Sequence, residues 1–381
     1  MSPIPMAAAD AQLLWLSAKV PNDQFLLYCF DGTPRAGALD EVRRNAEACK
    51  ALSLRVVDDD PWRYPRWVRN GISPDQFVVH EAQWPTNWPP EQLDVNRMAW
   101  RVHVYPDAVV VVQMSHALAD GPRSAALAAA LLGRRTPLAA MPAPNRGFFP
   151  ARAITAALAH RGAPAQPPRP ALSVNARPTA TPVPRTLVVD KDTLRHPTVT
   201  VAALAAIAEA LRGYLKARGE DVTRLAAEVP MAKPRTATAN NNFRNAGIGL
   251  CPEPARIAAE IAAHRRRAAS RAVLTSDAAF DAVPARLLRW GVGHFDPDAR
   301  SETVSGHTVV SSVIRGAADL SFGGVPVRFT AGFPALSPMM SLTHGVHGIG
   351  DTVAVSVHAD PVNVDVEDYL DRLRHALGLQ A

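Results

Sequence analysis

Cysteine is scarce. Three residues in 381, Cys29, Cys49 and Cys251, show no paired spacing, which excludes a disulfide framework and predicts a reducing compartment. Long apolar runs are missing too: none reaches the ~20 residues a spanning helix needs. The opening "MSPIPMAAADAQ" has no basic flank followed by a long apolar core, so no signal peptide is expected and a cytoplasmic location is. Motifs that read RNA or DNA are absent, so no nucleic-acid partner is expected. The formal charge of +6 is mild and suits a phosphate-bearing ligand or an anionic membrane surface. The one dense basic run, "HRRRAASR" from His264 to Arg271, lies within an Ala-rich helical pattern and reads as a solvated helix face.

What is present is an ordinary globular composition, 48% hydrophobic and 20% charged, which excludes a wholly disordered chain. The length exceeds what one core usually organises, so two lobes are expected. Proline marks the division. From Thr136 to Arg185 it recurs throughout, around one short helical patch, "ARAITAALAH". Such a stretch reads as a stiff, exposed crossover. It separates an N-terminal lobe, 1–135, from a C-terminal lobe, 186–381. Strand and helix patterns alternate in both lobes, giving an α/β class (α+β, two-layer).

One stretch carries chemistry: "VVVVQMSHALADGPRS", Val109 to Ser124. A β-branched run feeds a histidine, His116, and then breaks at Asp120-Gly121-Pro122. His116 could be a base, a metal ligand or packing. Pro122 suits a first helical turn and Asp120 its cap, so His116 falls on the turn between strand and helix. No cysteine or second histidine lies near enough in sequence to complete a metal set, and no metal is expected. A side chain at the mouth of a rigid strand is well placed for general-base work, and neutral imidazole titrates near cellular pH. Asp120 reads as a helix cap or as the partner of an arginine, and Gly121 leaves room where a substrate passes.

Two further segments are ambiguous. "THGVHGIGD", Thr343 to Asp351, holds His344 and His347 among glycines and reads as a turn between strands, with lining of a pocket as the alternative. "ANNNFRN" reads as a polar turn, with Asn242 within reach of a site.

The segment "SHALADG" resembles the HHxxxDG motif of the CoA-dependent acyltransferase superfamily. The wax ester synthase/diacylglycerol acyltransferase (WS/DGAT) family is the most similar branch. Other stretches agree in order along most of the chain. "PMAAADAQLLWL" is similar to that family's opening helix, "EVPMAKPRTATANNNFRNAGIGL" to its "VPVSLR…NRFG" stretch, and "VVSSVIRG" to its "SNVPGP" strand. The chain departs from the pattern at Ser115 in place of the first histidine, at Thr200-Val201 for "ND", and at Met98-Ala99-Trp100 for "PLW".

The resemblance implies two chloramphenicol-acetyltransferase-like lobes in a pseudo-dimer, with a tunnel between them, and a monomer in solution. It implies transfer of an acyl group from acyl-CoA, or from an acyl carrier protein, to an alcohol or lipid acceptor. His116 would be the base and Asp120 structural. Ser115, Gly121, Ser311, Ser312 and His344 would line the substrate, with Ser312 a candidate oxyanion donor. Acyl-CoA would be a co-substrate, with no permanently bound cofactor, and a lipid product would bring peripheral membrane contact. Two alternatives follow from the same fold: an acyl-binding member without turnover, or an N-acylating condensation enzyme of a natural-product pathway.

Overall fold

The computed structural model describes residues 3–85, 91–142, 144, 147–159, 168–194, 197–234 and 237–380. Two six-stranded sheets organise it. The first runs in the order Ser321–Phe322, Val325–Phe333, Gln24–Phe30, Val109–Met114, Trp100–Tyr105, Phe77–Val79. The second runs Phe243–Gly249, Ala226–Ala232, Thr308–Ile314, Leu342–Ile349, Thr352–Ala359, Val183–Asp190. The outer two strands of the first sheet come from the C-terminal half of the chain. Val325–Phe333 pairs antiparallel with Gln24–Phe30, so a late segment completes the early sheet.

The Val109–Met114 strand is buried at all six positions. Val110, Val112 and Met114 pack into the helix-covered core of the first half. Val109 and Val111 face the other way, toward Ala331, Phe333 and Ala354, where the two sheets meet. A β-branched run is what a strand covered on both faces needs, and each valine so buried contributes ~1.5–3 kcal/mol. Gln113 would be costly on that inner face if unpaired. Its amide donates to Asp23 Oδ2 at 2.8 Å and to the Glu91 carbonyl at 2.7 Å.

The second sheet carries the helix Val199–Lys216, capped by the Thr198 side chain, which accepts from the Val201 amide. The last helix, Val366–Ala376, packs beside it, with the Tyr214 and Tyr369 rings edge to face at 5.5 Å.

The Pro-rich stretch is only partly the exposed connector that its composition suggests. The helix Phe149–Ala159 buries none of its residues. Beyond it, Arg169–Pro170 pairs with Thr303–Val304. Val174 is fully buried in the second core, and Asn175 donates to the Gly306 and Met339 carbonyls at 3.2 and 3.0 Å. Backbone acceptors in two distant loops thus hold part of the segment inside the fold. His160 and 161–167, which end the helical patch and follow it, lie outside the described residues. Among the described residues no helix is long and apolar enough to cross a membrane.

Candidate active site

The strand Val109–Met114 ends at Ser115, whose amide donates to the Ala99 carbonyl at 2.9 Å, and the chain then turns. The Ser115 hydroxyl accepts from the Ala117 amide at 3.3 Å, which uses it inside the turn and away from the cavity. Asp120 caps the helix Gly121–Leu131, its Oδ1 accepting from the Arg123 amide at 3.1 Å. Its Oδ2 accepts from the Asn242 amide at 3.2 Å. The carboxylate is therefore spent on backbone amides of both halves. Among the described residues it forms no arginine ion pair, contrary to that expectation from the sequence.

His116 sits between these anchors and lines a cavity of about 1190 Å³ between the lobes. Its Nδ1 lies 2.8 Å from Asn241 Oδ1, a contact between residues 125 apart in the chain. The Asn241 amide is fixed from its other side: Nδ2 donates to Asp10 Oδ1 at 2.9 Å and to the His116 carbonyl at 2.7 Å. Both of those partners can only accept, so the amide oxygen faces the ring and Nδ1 must carry the proton. That tautomer leaves Nε2 bare, with no partner among the described residues. Burial lowers the pKa of His116 below that of free imidazole, while the hydrogen bond to Asn241 and the charge of Asp120 pull the other way. The ring is neutral at cellular pH and holds one basic nitrogen. Phe243 packs against it with centroids 5.6 Å apart.

Asp10 is the residue that sequence reading missed. It lies in the helix Ala8–Ser17, 2% exposed, and accepts from the Asn240 and Asn241 amides at 3.0 and 2.9 Å as well as from the Asn241 side chain. Burial pushes its carboxyl up to about 6, against the pull of those bonds. A carboxylate inside an apolar helix of alanines and leucines was the available signal, since such a group is buried only when partners wait for it. Asn241 carried no separate signal among three consecutive asparagines.

The remaining expected residues divide. Gly121, Ser311 and Ser312 line the same cavity as His116. A Cβ on Gly121 would lie 3.0 Å from Val313 Cγ2, so the glycine keeps the seam between lobes open. The Ser312 hydroxyl pairs with that of Thr200 at 2.7 Å. His344 does not line the cavity. It is fully buried, with Nδ1 2.8 Å from the Thr308 hydroxyl and Nε2 2.7 Å from the Tyr369 hydroxyl, and burial holds its pKa down to about 3. His347 is the one that lines the cavity. Three residues apart on a strand, the two rings point to opposite faces and do not converge on a metal.

The segment read as a turn is the strand Leu342–Ile349, buried throughout. Its glycines serve close approach: a Cβ on Gly345 would stand 2.0 Å from the Gly332 carbonyl oxygen. The basic run is exposed at Arg265, Arg266 and Arg267, the solvated face its pattern predicts, and on the helix Pro254–Ala268 His264, Arg265 and Arg267 also stand at the cavity rim.

No family model and no curated protein matches the chain. Solved structures do. The wax ester synthase/diacylglycerol acyltransferase from Marinobacter aquaeolei VT8 superposes with a TM-score of 0.64 at 16% identity, covering 98% of both chains. The starter condensation domain of rhizomide synthetase RzmA, solved with C8-CoA and Leu-SNAC, gives 0.63 at 15%, covering 99% of this chain and 93% of that one. The first condensation domain of the CDA synthetase gives 0.58 at 14%, covering 99% and 96%. At these identities the likeness establishes architecture: the chain has the two-lobed fold shared by condensation domains and the wax ester synthase.

Proposed function

We propose that the protein is an acyltransferase, moving an acyl group from acyl-CoA or a carrier-protein thioester to a hydroxyl acceptor, with His116 as general base. The observation that carries this reading is the fixed tautomer of His116. Nδ1–H is committed to Asn241, and the bare Nε2 belongs to a ring lining an inter-lobe cavity. Nε2 takes the acceptor's proton as its oxygen attacks the thioester carbonyl. A C–O bond forms, the tetrahedral oxyanion collapses, the C–S bond breaks, and the thiolate leaves with the proton from the imidazolium. The Ser312–Thr200 hydroxyl pair supplies a donor for the oxyanion. Arg265 and Arg267 at the rim suit the phosphates of CoA or of a phosphopantetheine arm. The fold shared with proteins solved around C8-CoA and a thioester analogue supports the same reading.

The test is thiol release. His116→Ala should abolish thioester-dependent release of CoA in the presence of an alcohol panel, a loss of ~3–6 kcal/mol in kcat/KM, while Tm stays nearly unchanged. Full activity in that variant would overturn the assignment. In the wild type the acid limb of kcat/KM should inflect below 6.5, because burial favours the neutral ring. Retained acyl-CoA binding with no turnover in the wild type would instead support the acyl-binding alternative, for which the serine at position 115 is the motive. Faster turnover with amines than with alcohols would support the N-acylating one.

A further inference from the structure

Arg315 follows the strand Thr308–Ile314 and lines the cavity that holds His116. It is 5% exposed. One guanidinium nitrogen, Nη1, donates to the Leu27 carbonyl at 3.4 Å and to the Thr330 hydroxyl, and the guanidinium stands 5.3 Å from the centre of the Tyr28 ring. Nε has no partner among the described residues. Among the described residues no carboxylate pairs with it either. Asp319, four residues on, is taken by Arg134, which itself donates to the Arg315 carbonyl and adds a second positive charge. Tyr28 and His347 face Arg315, and neither compensates it. Burial keeps the phenol protonated, and burial together with the Arg315 charge keeps the imidazole neutral. Among the described residues His347 Nδ1 and Tyr28 Oη are also buried without hydrogen-bond partners.

A guanidinium does not lose its proton in a protein, and a buried charge without a counter-ion is strongly disfavoured. Three orphaned polar atoms around one such charge, at a cavity wall, describe a site awaiting an anion. Its place is set by register. A Cβ on Gly332 would lie 2.8 Å from Arg315 Nη2. Gly332 pairs with Leu26, and Leu26 pairs with Val112, four residues before His116. Four residues at ~3.3 Å and two strand spacings of ~4.8 Å put it roughly 15 Å from the base.

We propose that the substrate bound in this cavity carries a carboxylate, held by Arg315 roughly 15 Å from the atom that reacts at His116. The proposal rests on the acyl-transfer reading for the identity of that atom, and its test does not need turnover. The carboxylate belongs either to an acyl donor with a terminal acid or to a hydroxy-acid acceptor, and matched probe pairs separate the two. Calorimetric binding would compare dodecanoyl-CoA with the CoA monothioester of dodecanedioic acid, and dodecan-1-ol with 12-hydroxydodecanoate.

In the wild type the carboxylate member of one pair should bind roughly 10- to 100-fold more tightly, the range expected for charge-assisted hydrogen bonds. Arg315→Gln should erase the preference, Arg315→Lys should keep part of it, and His116→Ala should keep all of it. No preference in either pair for the wild type, or a preference that survives Arg315→Gln, would overturn the proposal. If Arg315→Gln does not fold, the wild-type pairs and Arg315→Lys still decide. A His116→Ala protein that turns over normally would refute the base while leaving this binding result to stand or fall alone.

Discussion

His116 lies on the turn that follows a strand of the first sheet and His344 on a strand of the second, both largely drawn out of bulk water, and they are satisfied differently. His344 spends both ring nitrogens inside the second core, on the Thr308 and Tyr369 hydroxyls. His116 spends one nitrogen on Asn241 and keeps the other for the cavity. Burial lowers the basicity of both rings. A perturbed pKa therefore does not separate a working histidine from a structural one here. The count of committed nitrogens does.

The strongest way to break this comparison is to remove each ring in turn. His116→Ala should lose turnover by the ~3–6 kcal/mol given above and keep its melting temperature. His344→Ala should do the opposite. It leaves a cavity and an orphaned Tyr369 hydroxyl, and should cost about 2–4 kcal/mol of stability by urea denaturation, with turnover per folded molecule preserved. If His344→Ala instead abolished turnover in protein of native stability, nitrogen count would be the wrong criterion.

A finer cut acts on the anchor and leaves the ring in place. Asn241→Leu removes the acceptor that fixes the tautomer and leaves Asp10 without one of its donors. It should lower kcat by about 1–3 kcal/mol with KM little changed, and Asn241→Gln should not restore the loss, since its longer side chain displaces the oxygen. A change confined to KM would assign Asn241 to binding.

These residues also show what was legible in advance. The β-branched run and the Asp-Gly-Pro break are local, so strand, turn and helix around His116 follow from neighbours in the chain. Asn241 is not a neighbour, and nothing in a polar tripeptide says that its middle residue will meet a ring 125 positions earlier. The same holds for Val325–Phe333, whose place in the first sheet is set by pairing with Gln24–Phe30. The glycines of Leu342–Ile349 misled for a related reason. Glycine signals a turn by its freedom and a close contact by its missing Cβ, and only the Gly332 carbonyl beside Gly345 distinguishes the two.

Asp10 offers a smaller, pH-dependent test of the same anchor. Its carboxyl is raised from 3.8 to about 6 by burial. The folded state therefore holds this proton more tightly than the unfolded chain. The contribution of Asp10 to stability is fullest below the unfolded value and declines as pH rises through about 6. Between pH 5 and pH 7 the decline is about 1 kcal/mol. Asp10→Asn should flatten that part of the stability profile, measured by urea denaturation at each pH. An unchanged slope would mean that other groups carry it.

The smallest expected effect tests whether the seam beside His116 needs its glycine for space alone. Gly121 has ordinary helical geometry at the helix start, without the positive φ that makes glycine obligatory. An alanine there fits the backbone, and its methyl stands 3.0 Å from Val313 Cγ2 across the lobe boundary. Val313 must give by a few tenths of an ångström, which sets helix propensity, worth up to ~1 kcal/mol in favour of alanine, against a tight contact of similar size. Stability should therefore move by less than about 1 kcal/mol. The cavity, however, narrows at the point where Gly121 and His116 line it together, so KM for long acyl donors should rise about two- to fivefold relative to acetyl donors, under ~1 kcal/mol of binding. If KM rose equally for both, the glycine would matter to lobe packing and not to passage. His116 would then meet its substrate from another side of the cavity.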